Sequence, residues 1–243
     1  MSIWIQEKKN NMVTSDEILK FFKALSFNSE AHIYHVNDVP IEYSVSGKVK
    51  KFYNEFDAKR KSVEVAIKTF STQQQVLKNW EQVGEVARVK GNKAHLFGEL
   101  YPFNRELRPQ SNYDIAIMKF WKDLPSHIVP VLTEARMYHL IHMYAGTADL
   151  ILYNTQTGKY IIGDYKTNKD LYKNFMGEKM LHPFNGLLSC PYNHYQLQLS
   201  YYQILLEQIE NIEVSYRKLI WLKADGKYEL FDTDDYTEIL KIA

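Results

Sequence analysis

The chain has 243 residues, with 30 lysine and arginine residues against 29 aspartate and glutamate residues and a formal net charge of +1. This length is sufficient for one substantial hydrophobic core, and no Pro-, Gly- or Ser-rich linker divides it. We therefore expect a single domain over residues 1–243. The near-neutral charge excludes a polycation that coats nucleic acid over its whole surface, so any nucleic-acid contact has to come from a local patch.

Cys190 is the only cysteine in the sequence. One thiol excludes a disulfide framework, a four-cysteine zinc site and an iron–sulfur cluster ligated by this chain alone, and it suits a reducing compartment. Residues 1–11 lack an apolar run followed by a small-residue cleavage site, and no segment is apolar over a membrane-spanning length. We therefore expect an intracellular protein without membrane contact, in the cytoplasm of a bacterial or phage-infected cell.

The first part of the chain has mainly helical periodicity. The predicted elements are a helix over 15–27 capped by Ser15, strands over 32–36 and 41–49 joined at Pro40, and helical segments over 54–105. Leu19 and Leu25 are predicted on the buried side of the first helix, and Gly84 and Gly91 are predicted to interrupt the helical pattern. We expect 1–80 to be a mainly helical elaboration and 81–243 to be the core that carries the candidate site.

The rest of the chain alternates strand and helix patterns. The predicted elements are a helix over 112–121, strands over 129–139, 143–153 and 159–166, a loop-rich stretch over 168–191, a helix over 192–210, strands over 214–223 and 228–232, and a short helix over 236–242. Helices, then a strand meander, then a helix and more strands indicate a mixed α/β domain with a central mixed sheet flanked by helices.

The strands over 148–153 and 159–165 are predicted to form a hairpin that brings two carboxylates together. If residues 155–158 form the loop, Asn154 pairs with Lys159, and Asp149 then lies directly opposite Asp164. Side chains alternate across a strand, so Lys166 shares the face of Asp164. Two like charges in this position destabilise a hairpin unless a cation lies between them, and oxygen ligands favour Mg²⁺ or Mn²⁺ over zinc.

An isolated Asp-x-Lys triplet is usually the solvated end of a strand, but four further motifs accompany this one. In chain order the set is Gly91-x-x-x-His95, Glu134, Gly146-Thr-Ala-Asp149, Asp164-Tyr-Lys166 and Gln198-Leu-x-x-Tyr202. Together they resemble the signature of the RecB-like branch of the PD-(D/E)XK nucleases over about residues 80–210. The residues of the two aspartate motifs resemble those of the single-domain exonucleases of this branch, among them the mitochondrial genome maintenance exonuclease and similar phage proteins.

The resemblance implies a restriction-endonuclease-like core and a role for each motif. His95, Asp149 and Asp164 would ligate the metal together with the backbone carbonyl of Tyr165, and Lys166 would be the catalytic lysine. The chemistry is consistent with these roles, because a bound divalent ion polarises the scissile phosphate and activates water, while an ammonium orients that water or stabilises developing charge.

Three further residues have less defined roles. If its strand turns tightly at 139–142, Glu134 lies beside Asp149, where it could bind a second metal or a metal-bound water, or support the ligands from outside. Gln198 and Tyr202 share one helix face at i, i+4 spacing and would organise the site or contact DNA.

Candidate DNA contacts lie on both sides of the predicted site. The basic residues that could grip phosphates are Arg88, Lys90, Lys93, Lys169 and Lys173. The aromatic residues that could stack on unpaired bases are Tyr165, Tyr172, Phe175 and Phe184.

The sequence therefore predicts a Mg²⁺- or Mn²⁺-dependent DNA exonuclease without an iron–sulfur cluster, acting on strand ends or single-stranded DNA in recombination, repair or genome processing. The preference for an exonuclease comes from the resemblance alone. A structure-specific or restriction-like endonuclease and a non-catalytic DNA-binding subunit remain as alternatives. A zinc site at His139-x-x-His142 is disfavoured, because His182 and His194 are distant and no glutamate occupies a metalloprotease position.

Overall fold

The computed structural model describes residues 12–28, 30–31 and 33–243. The described helices are α1 (Ser15–Phe21), α2 (Val45–Lys50), α3 (Ala58–Thr69), α4 (Gln73–Leu100), α5 (Asn112–Asp123), α6 (Pro191–Leu206) and α7 (Thr237–Leu240). The described strands are β1 (Leu25–Asn28), β2 (Ile33–Val36), β3 (Val39–Pro40), β4 (Tyr43–Ser44), β5 (Ile128–Tyr138), β6 (Tyr144–Asn154), β7 (Lys159–Lys166), β8 (Val214–Leu222) and β9 (Tyr228–Asp232).

A six-stranded mixed sheet forms the centre, in the order β4, β6, β7, β8, β9, with β5 also paired to β6. Because β5 covers one edge of β6 along almost its whole length, β4 and β7 share the other edge. On that edge β4 pairs in parallel with Tyr144 and Ala145, whereas β7 pairs antiparallel only from Leu150 onwards. Residues 146–149 of β6 therefore lie in the gap between β4 and β7.

Helices cover both faces of this sheet. Successive residues of β6 alternate between two buried clusters, with Leu150 and Leu152 in one and Ile151 and Tyr153 in the other. The larger cluster packs α1, α2 and α6 against the sheet, and the smaller one packs α5 and the C-terminal half of α4. The prediction of a mixed α/β domain with helices flanking a mixed sheet is confirmed.

The N-terminal segment contains a small sheet that the sequence analysis does not predict. Thr14, rather than Ser15, caps α1 through a capping box, and the helix ends at Phe21 instead of continuing to residue 27. Residues 25–28 pair antiparallel with 33–36 as β1 and β2, and β3 extends this sheet. The predicted helix is too long because residues 25–28 pair with β2 as a strand. Leu19, which is predicted on the buried side of the helix, is 52% exposed. Residues 1–11 and His32, on which other expectations rest, lie outside the described residues.

The predicted strand over 41–49 is mostly helical. Only Tyr43 and Ser44 form a strand, and the Ser44 side chain accepts a hydrogen bond from the Gly47 N–H as the N-cap of α2. A serine at an N-cap satisfies a backbone donor that would otherwise be unpaired. This start signal outweighs the strand-like composition of the segment.

Helix α4 is continuous over 28 residues, so the predicted interruptions at Gly84 and Gly91 are wrong. It begins with a capping box in which Thr72 and Gln75 exchange hydrogen bonds. A glycine inside a helix costs about 1 kcal/mol relative to alanine, which the capping box and the packing of the last turns can offset.

The predicted elements from residue 112 onwards are confirmed, with end points shifted by a few residues. The largest shift is in α6, which ends at Leu206 rather than 210, and Ser111 rather than Asn112 caps α5. Among the residues described, no helix combines the length and the apolar character needed to cross a bilayer.

Candidate metal centre

The register of the hairpin formed by β6 and β7 is the predicted one. Asn154 pairs with Lys159, and the turn occupies residues 155–158. The ladder ends at the pair of Leu150 and Gly163, one position before the two aspartates. The strands therefore begin to separate at the position where the sequence predicts the paired carboxylates.

Asp149 connects the separating strands through its side chain. Its Oδ2 accepts a hydrogen bond of 2.7 Å from the backbone N–H of Tyr165. The carboxylate takes the place of a backbone acceptor, because β7 has already left the ladder here. Asp149 is 7% exposed, so burial and this bond together fix its orientation.

The C-terminal half of α4 places His95 against Asp149. Gly98 allows the close contact of the helix with the sheet, since a Cβ atom at this position would lie 2.5 Å from Cε2 of Tyr165. Ala94, at the same interface, is 1% exposed. With the helix held at this distance, His95 Nδ1 lies 3.1 Å from Asp149 Oδ1.

Glu134 of β5 completes a group of three potential ligands. One side-chain donor atom from each of His95, Glu134 and Asp149 lies within 4.8 Å of the others, which is the size of a site for one metal ion. Glu134 has a backbone φ of +49° between the paired residues Thr133 and Ala135, so the strand is locally distorted at this side chain. The predicted proximity of Glu134 and Asp149 is therefore confirmed.

The electrostatics of the three residues show how a cation would fit. Burial, helped by the neighbouring charge of Asp149, raises the pKa of Glu134 to about 7. Burial acts to lower the pKa of His95, but the charge of Asp149 and the hydrogen bond to it outweigh burial and raise this pKa to about 9. The same partnership with His95 holds the pKa of Asp149 below its usual range despite burial. Two carboxylates and an imidazole thus lie close enough together to bind one cation, with two oxygen donors and one nitrogen donor.

Asp164 and Lys166 form an adjoining ion pair, with side chains that are 3% and 13% exposed. Burial raises the pKa of Asp164 to about 6 against the attraction of Lys166. Burial acts to lower the pKa of Lys166, but Asp164 and Asp149 outweigh it and raise this pKa above the ordinary lysine value. Asp164 therefore contacts Lys166 and is not one of the three grouped donors His95, Glu134 and Asp149. The predicted roles of Asp164 and of the Tyr165 carbonyl as metal ligands stay predictions.

Helix α6 supports this ion pair from the other side. The ammonium of Lys166 lies 4.6 Å from the ring centre of Tyr195, whose hydroxyl donates to Asn168 Oδ1 at 2.8 Å. Gln198 Nε2 donates to the Tyr202 hydroxyl at 2.6 Å, and Tyr202 is 4% exposed. Because it is buried, Tyr202 is placed to organise the site and not to contact DNA, which corrects its prediction as a DNA-binding residue. Gln198 is half-buried, so both of its predicted roles, organising the site and contacting DNA, stay predictions.

A cleft of about 1120 Å³ extends from His95 along α4. Its other wall is formed by the residues after β7 and by the end of β8, including Asn168 and Trp221. The basic residues on its walls are Arg88, Lys90, Lys169 and Lys223. Three of these four were predicted as DNA contacts, so the patch that the sequence predicts continues directly from the metal group.

The remaining predicted contacts lie elsewhere or are buried. Lys93 and Lys173 are exposed but do not line the cleft. Among the predicted stacking residues, Tyr165 and Phe184 are in the core, whereas Tyr172 and Phe175 are exposed. The hydroxyl of Tyr165 accepts a hydrogen bond from Trp121 Nε1, so this tyrosine is structural and its prediction as a base platform was wrong.

Three further residues at the site or the cleft, Tyr195, Trp221 and Lys223, are not predicted from the sequence. Tyr195 lies one turn before Gln198 on α6, so helical spacing could have placed it beside the site. Trp221 and Lys223 come from the end of β8, whose neighbour β7 is parallel to it. Only the strand order shows that these residues reach the cleft.

No protein-family model matches this chain. No curated protein matches it either. The function is therefore inferred from the residues and their geometry.

Proposed function

We propose that this protein is a Mg²⁺- or Mn²⁺-dependent deoxyribonuclease that hydrolyses phosphodiester bonds, as an exonuclease on strand ends or single-stranded DNA. One observation supports this proposal most. Side chains from α4, β5 and β6 converge as His95, Glu134 and Asp149, next to a buried lysine and at the end of a cleft with basic walls. Few chemistries other than metal-assisted phosphate transfer use oxygen ligands, a lysine and a cationic groove together.

In this proposal the three grouped donors and Lys166 have different roles in the reaction. His95, Glu134 and Asp149 would hold the ion, which when bound supplies Lewis-acid polarisation of the phosphate and a more acidic water. Lys166 keeps its proton because Asp164 and Asp149 raise its pKa. It therefore acts as a fixed cation that orients the water or stabilises charge on the phosphate, and not as a general base.

The cleft supplies the substrate-binding surface in this proposal. Arg88 is paired with Glu85, and Lys223 with Glu229, in exposed ion pairs. Such surface pairs contribute about 0–1 kcal/mol, so a phosphate can replace the carboxylate at little cost. Lys90 and Lys169 also line the cleft and add to the attraction for a polyanion.

A cleavage assay with Lys166→Ala tests the proposal. We expect wild-type protein to degrade end-labelled linear DNA with Mg²⁺ or Mn²⁺ but not with EDTA, and the variant to lose about 10²–10⁴-fold in rate while it still binds DNA. The matched control is Lys159→Ala, because Lys159 begins the strand that ends at Lys166 and forms an ion pair with Glu213 at that far end.

The substrates separate the alternatives. Cleavage of covalently closed circles would show an endonuclease. If no substrate is cut in a metal- and Lys166-dependent way, the nuclease proposal is wrong and a DNA-binding role takes its place. Comparison of single-stranded with duplex linear DNA gives the strand preference.

A further inference from the structure

A second cavity, of about 200 Å³, lies between α2 and α6 and adjoins the ion pair of Lys166 and Asp164 through Tyr195. Tyr195 lines this cavity, and its ring centre lies 4.6 Å from the Lys166 ammonium. The hydroxyl of Tyr195 donates to Oδ1 of Asn168, which lines the cleft that extends from His95. Within the described residues, the cavity and the cleft share none of their lining. They are therefore separate spaces whose walls are joined by this hydrogen bond.

Two stacked rings form part of the cavity wall. The rings of Tyr53 and His194 are parallel to within 12°, with their centres 3.8 Å apart, and both residues line the cavity. His194 Nε2 lies 3.2 Å from Ser189 Oγ, which fixes the orientation of the imidazole. Burial lowers the pKa of His194 to about 4, so the imidazole is uncharged at neutral pH. The wall therefore contains flat, neutral rings in a fixed position, which is the kind of surface on which nucleobases stack.

Gln198 gives the cavity an unpaired polar atom. Its side chain is half-buried and lines the cavity. One end of the amide is bonded to Tyr202, because Nε2 donates to the hydroxyl at 2.6 Å. In the part of the chain that the structure describes, the amide oxygen has no hydrogen-bond partner. The amino groups on the edges of nucleobases are donors that suit such an oxygen.

The cavity and the cleft differ in charge. The cleft has four basic side chains on its walls. Among the described residues that line the cavity, Lys50 is the one side chain that is charged at neutral pH, and it is exposed and lies 3.8 Å from Glu55. The cavity is thus nearly neutral, with rings and an amide on its walls, and it suits a base better than a phosphate.

We propose that this cavity binds the base of the terminal nucleotide of a DNA strand, against Tyr53 and Tyr195 and with its edge at Gln198. The inference rests on the proposed function, because it takes Lys166 as the residue at the scissile phosphate. With that phosphate at Lys166, the backbone of the strand follows the basic cleft and the last base lies beyond Tyr195. One water needs about 10–15 Å³ of such space, so the cavity has room for one nucleoside with its waters and not for a longer stretch of strand.

Binding of single strands in EDTA, each labelled at an internal position, tests the proposal. Three strands of one sequence are compared: an intact strand, a strand that lacks the base of its 5′-terminal nucleotide and a strand that lacks the base of its 3′-terminal nucleotide. We expect wild type to bind one of the two abasic strands about five- to a hundredfold more weakly than the intact strand, as expected for the loss of one stacked base. The sensitive end is the end that enters the cavity. If both abasic strands bind as tightly as the intact strand, the proposal is overturned.

A variant that fills the cavity locates the effect. Ser46 is an exposed residue that lines the cavity, so Ser46→Tyr adds a ring there without changing the core. We expect Ser46→Tyr to bind the intact strand only as tightly as wild type binds the sensitive abasic strand. The control is Ser46→Ala, which leaves the cavity open and should discriminate between the strands as wild type does. Tyr53→Leu, which removes one of the stacked rings, should also reduce the discrimination. Full discrimination by Ser46→Tyr would place the terminal base elsewhere and overturn the proposal.

These measurements do not depend on cleavage, because EDTA removes the metal ion. A protein that cuts DNA but does not distinguish the three strands overturns the base site and leaves the proposed function in place. A protein that distinguishes the strands through the cavity but cuts no DNA keeps the base site, and the nuclease proposal is then wrong.

Discussion

Helix α4 has an exposed part over residues 73–90 and a packed part over residues 91–100, although both belong to one uninterrupted helix. The packed part is pressed against the sheet, where Ala94 and Gly98 are buried and the backbone carbonyl of Glu99 accepts a hydrogen bond from Thr133. The exposed part packs mainly against α3, and Val83 and Val86 are exposed at the wall of the cleft.

This difference assigns a separate task to each part. A metal ligand has to be held to within a fraction of an ångström, and the packed part carries His95. A surface that follows a flexible polyanion needs charge more than fixed geometry, and the exposed part carries Arg88 and Lys90. Substitutions should therefore have large, specific effects in the packed part and small, electrostatic effects in the exposed part.

The largest effect is expected from His95 itself. We expect His95→Asn to lower Mn²⁺ affinity by about 10–100-fold, which corresponds to roughly 1.4–2.7 kcal/mol, because one of three ligands is lost. Asn92→Ala, one turn earlier on the cleft wall, should leave the affinity unchanged. Titration calorimetry measures both, and equal losses in the two variants would show that the helix as a whole, not the imidazole, determines binding.

The glycines of α4 give a matched test of its packing. Gly84 has open space around it, whereas a Cβ atom at Gly98 meets the buried ring of Tyr165. Each change to alanine gains about 0.5–1 kcal/mol of helix propensity, so the difference between the two variants isolates the overpacking cost, about 1–3 kcal/mol. Denaturant unfolding measures it, and we expect Gly84→Ala to be more stable than wild type. Equal stabilisation of the two variants would mean that the ring of Tyr165 moves aside at little cost in free energy.

These packing differences mark the limit of what the sequence predicts. The hairpin register follows from turn length and alternation alone, and both strands lie where the pattern places them. The predicted direct pairing of Asp149 with Asp164 is not part of the ladder, which ends one position earlier at Leu150 and Gly163. The separation of β7 from β6 beside Asp149 is not predictable in this way, because it depends on β4 occupying the same edge from a distant part of the chain.

The burial of individual side chains is the other property that the sequence pattern does not predict. Tyr165 and Tyr202 are polar enough to read as surface residues, yet both are in the core because α4, α5 and α6 close over them. The hydroxyl of Tyr165 is satisfied by Trp121, which is distant in the sequence and gives no local signal. The partner of the Tyr202 hydroxyl, Gln198, lies at the i, i+4 spacing that the sequence shows, but that spacing does not predict burial. The continuity of α4 was mispredicted for the same reason, since tertiary packing outweighs the cost of its glycines.

Metal binding should release protons from the packed end of the helix. At pH 7 His95, with a pKa of about 9, is protonated, and Glu134, with a pKa of about 7, is half protonated. Both have to lose their protons to become ligands, so about one and a half protons should be released per ion. Mn²⁺ affinity should accordingly rise with pH between 6.5 and 8.5 and fall with acidification.

Calorimetry in buffers of different ionisation enthalpy counts these protons. The control is Glu134→Gln, which should reduce the number released at pH 7 to about one, since only His95 then titrates. A release of zero protons by wild type would mean that neither group coordinates the ion and that the cluster is held together by its own ion pair.

The smallest effect is expected in the exposed part of α4, and it concerns the salt dependence of DNA binding. Lys90 lines the cleft, whereas Lys93 is exposed on the same helix outside it. If Lys90 contacts one phosphate of a single strand, Lys90→Gln should reduce the slope of log affinity against log salt by about 0.7, with little change in stability. Lys93→Gln should leave the slope as it is. Binding of a labelled single strand in EDTA over a range of KCl concentrations measures both slopes. Equal slopes for the two variants would place the strand elsewhere, and the contrast between the exposed and the packed part of α4 would then concern stability alone.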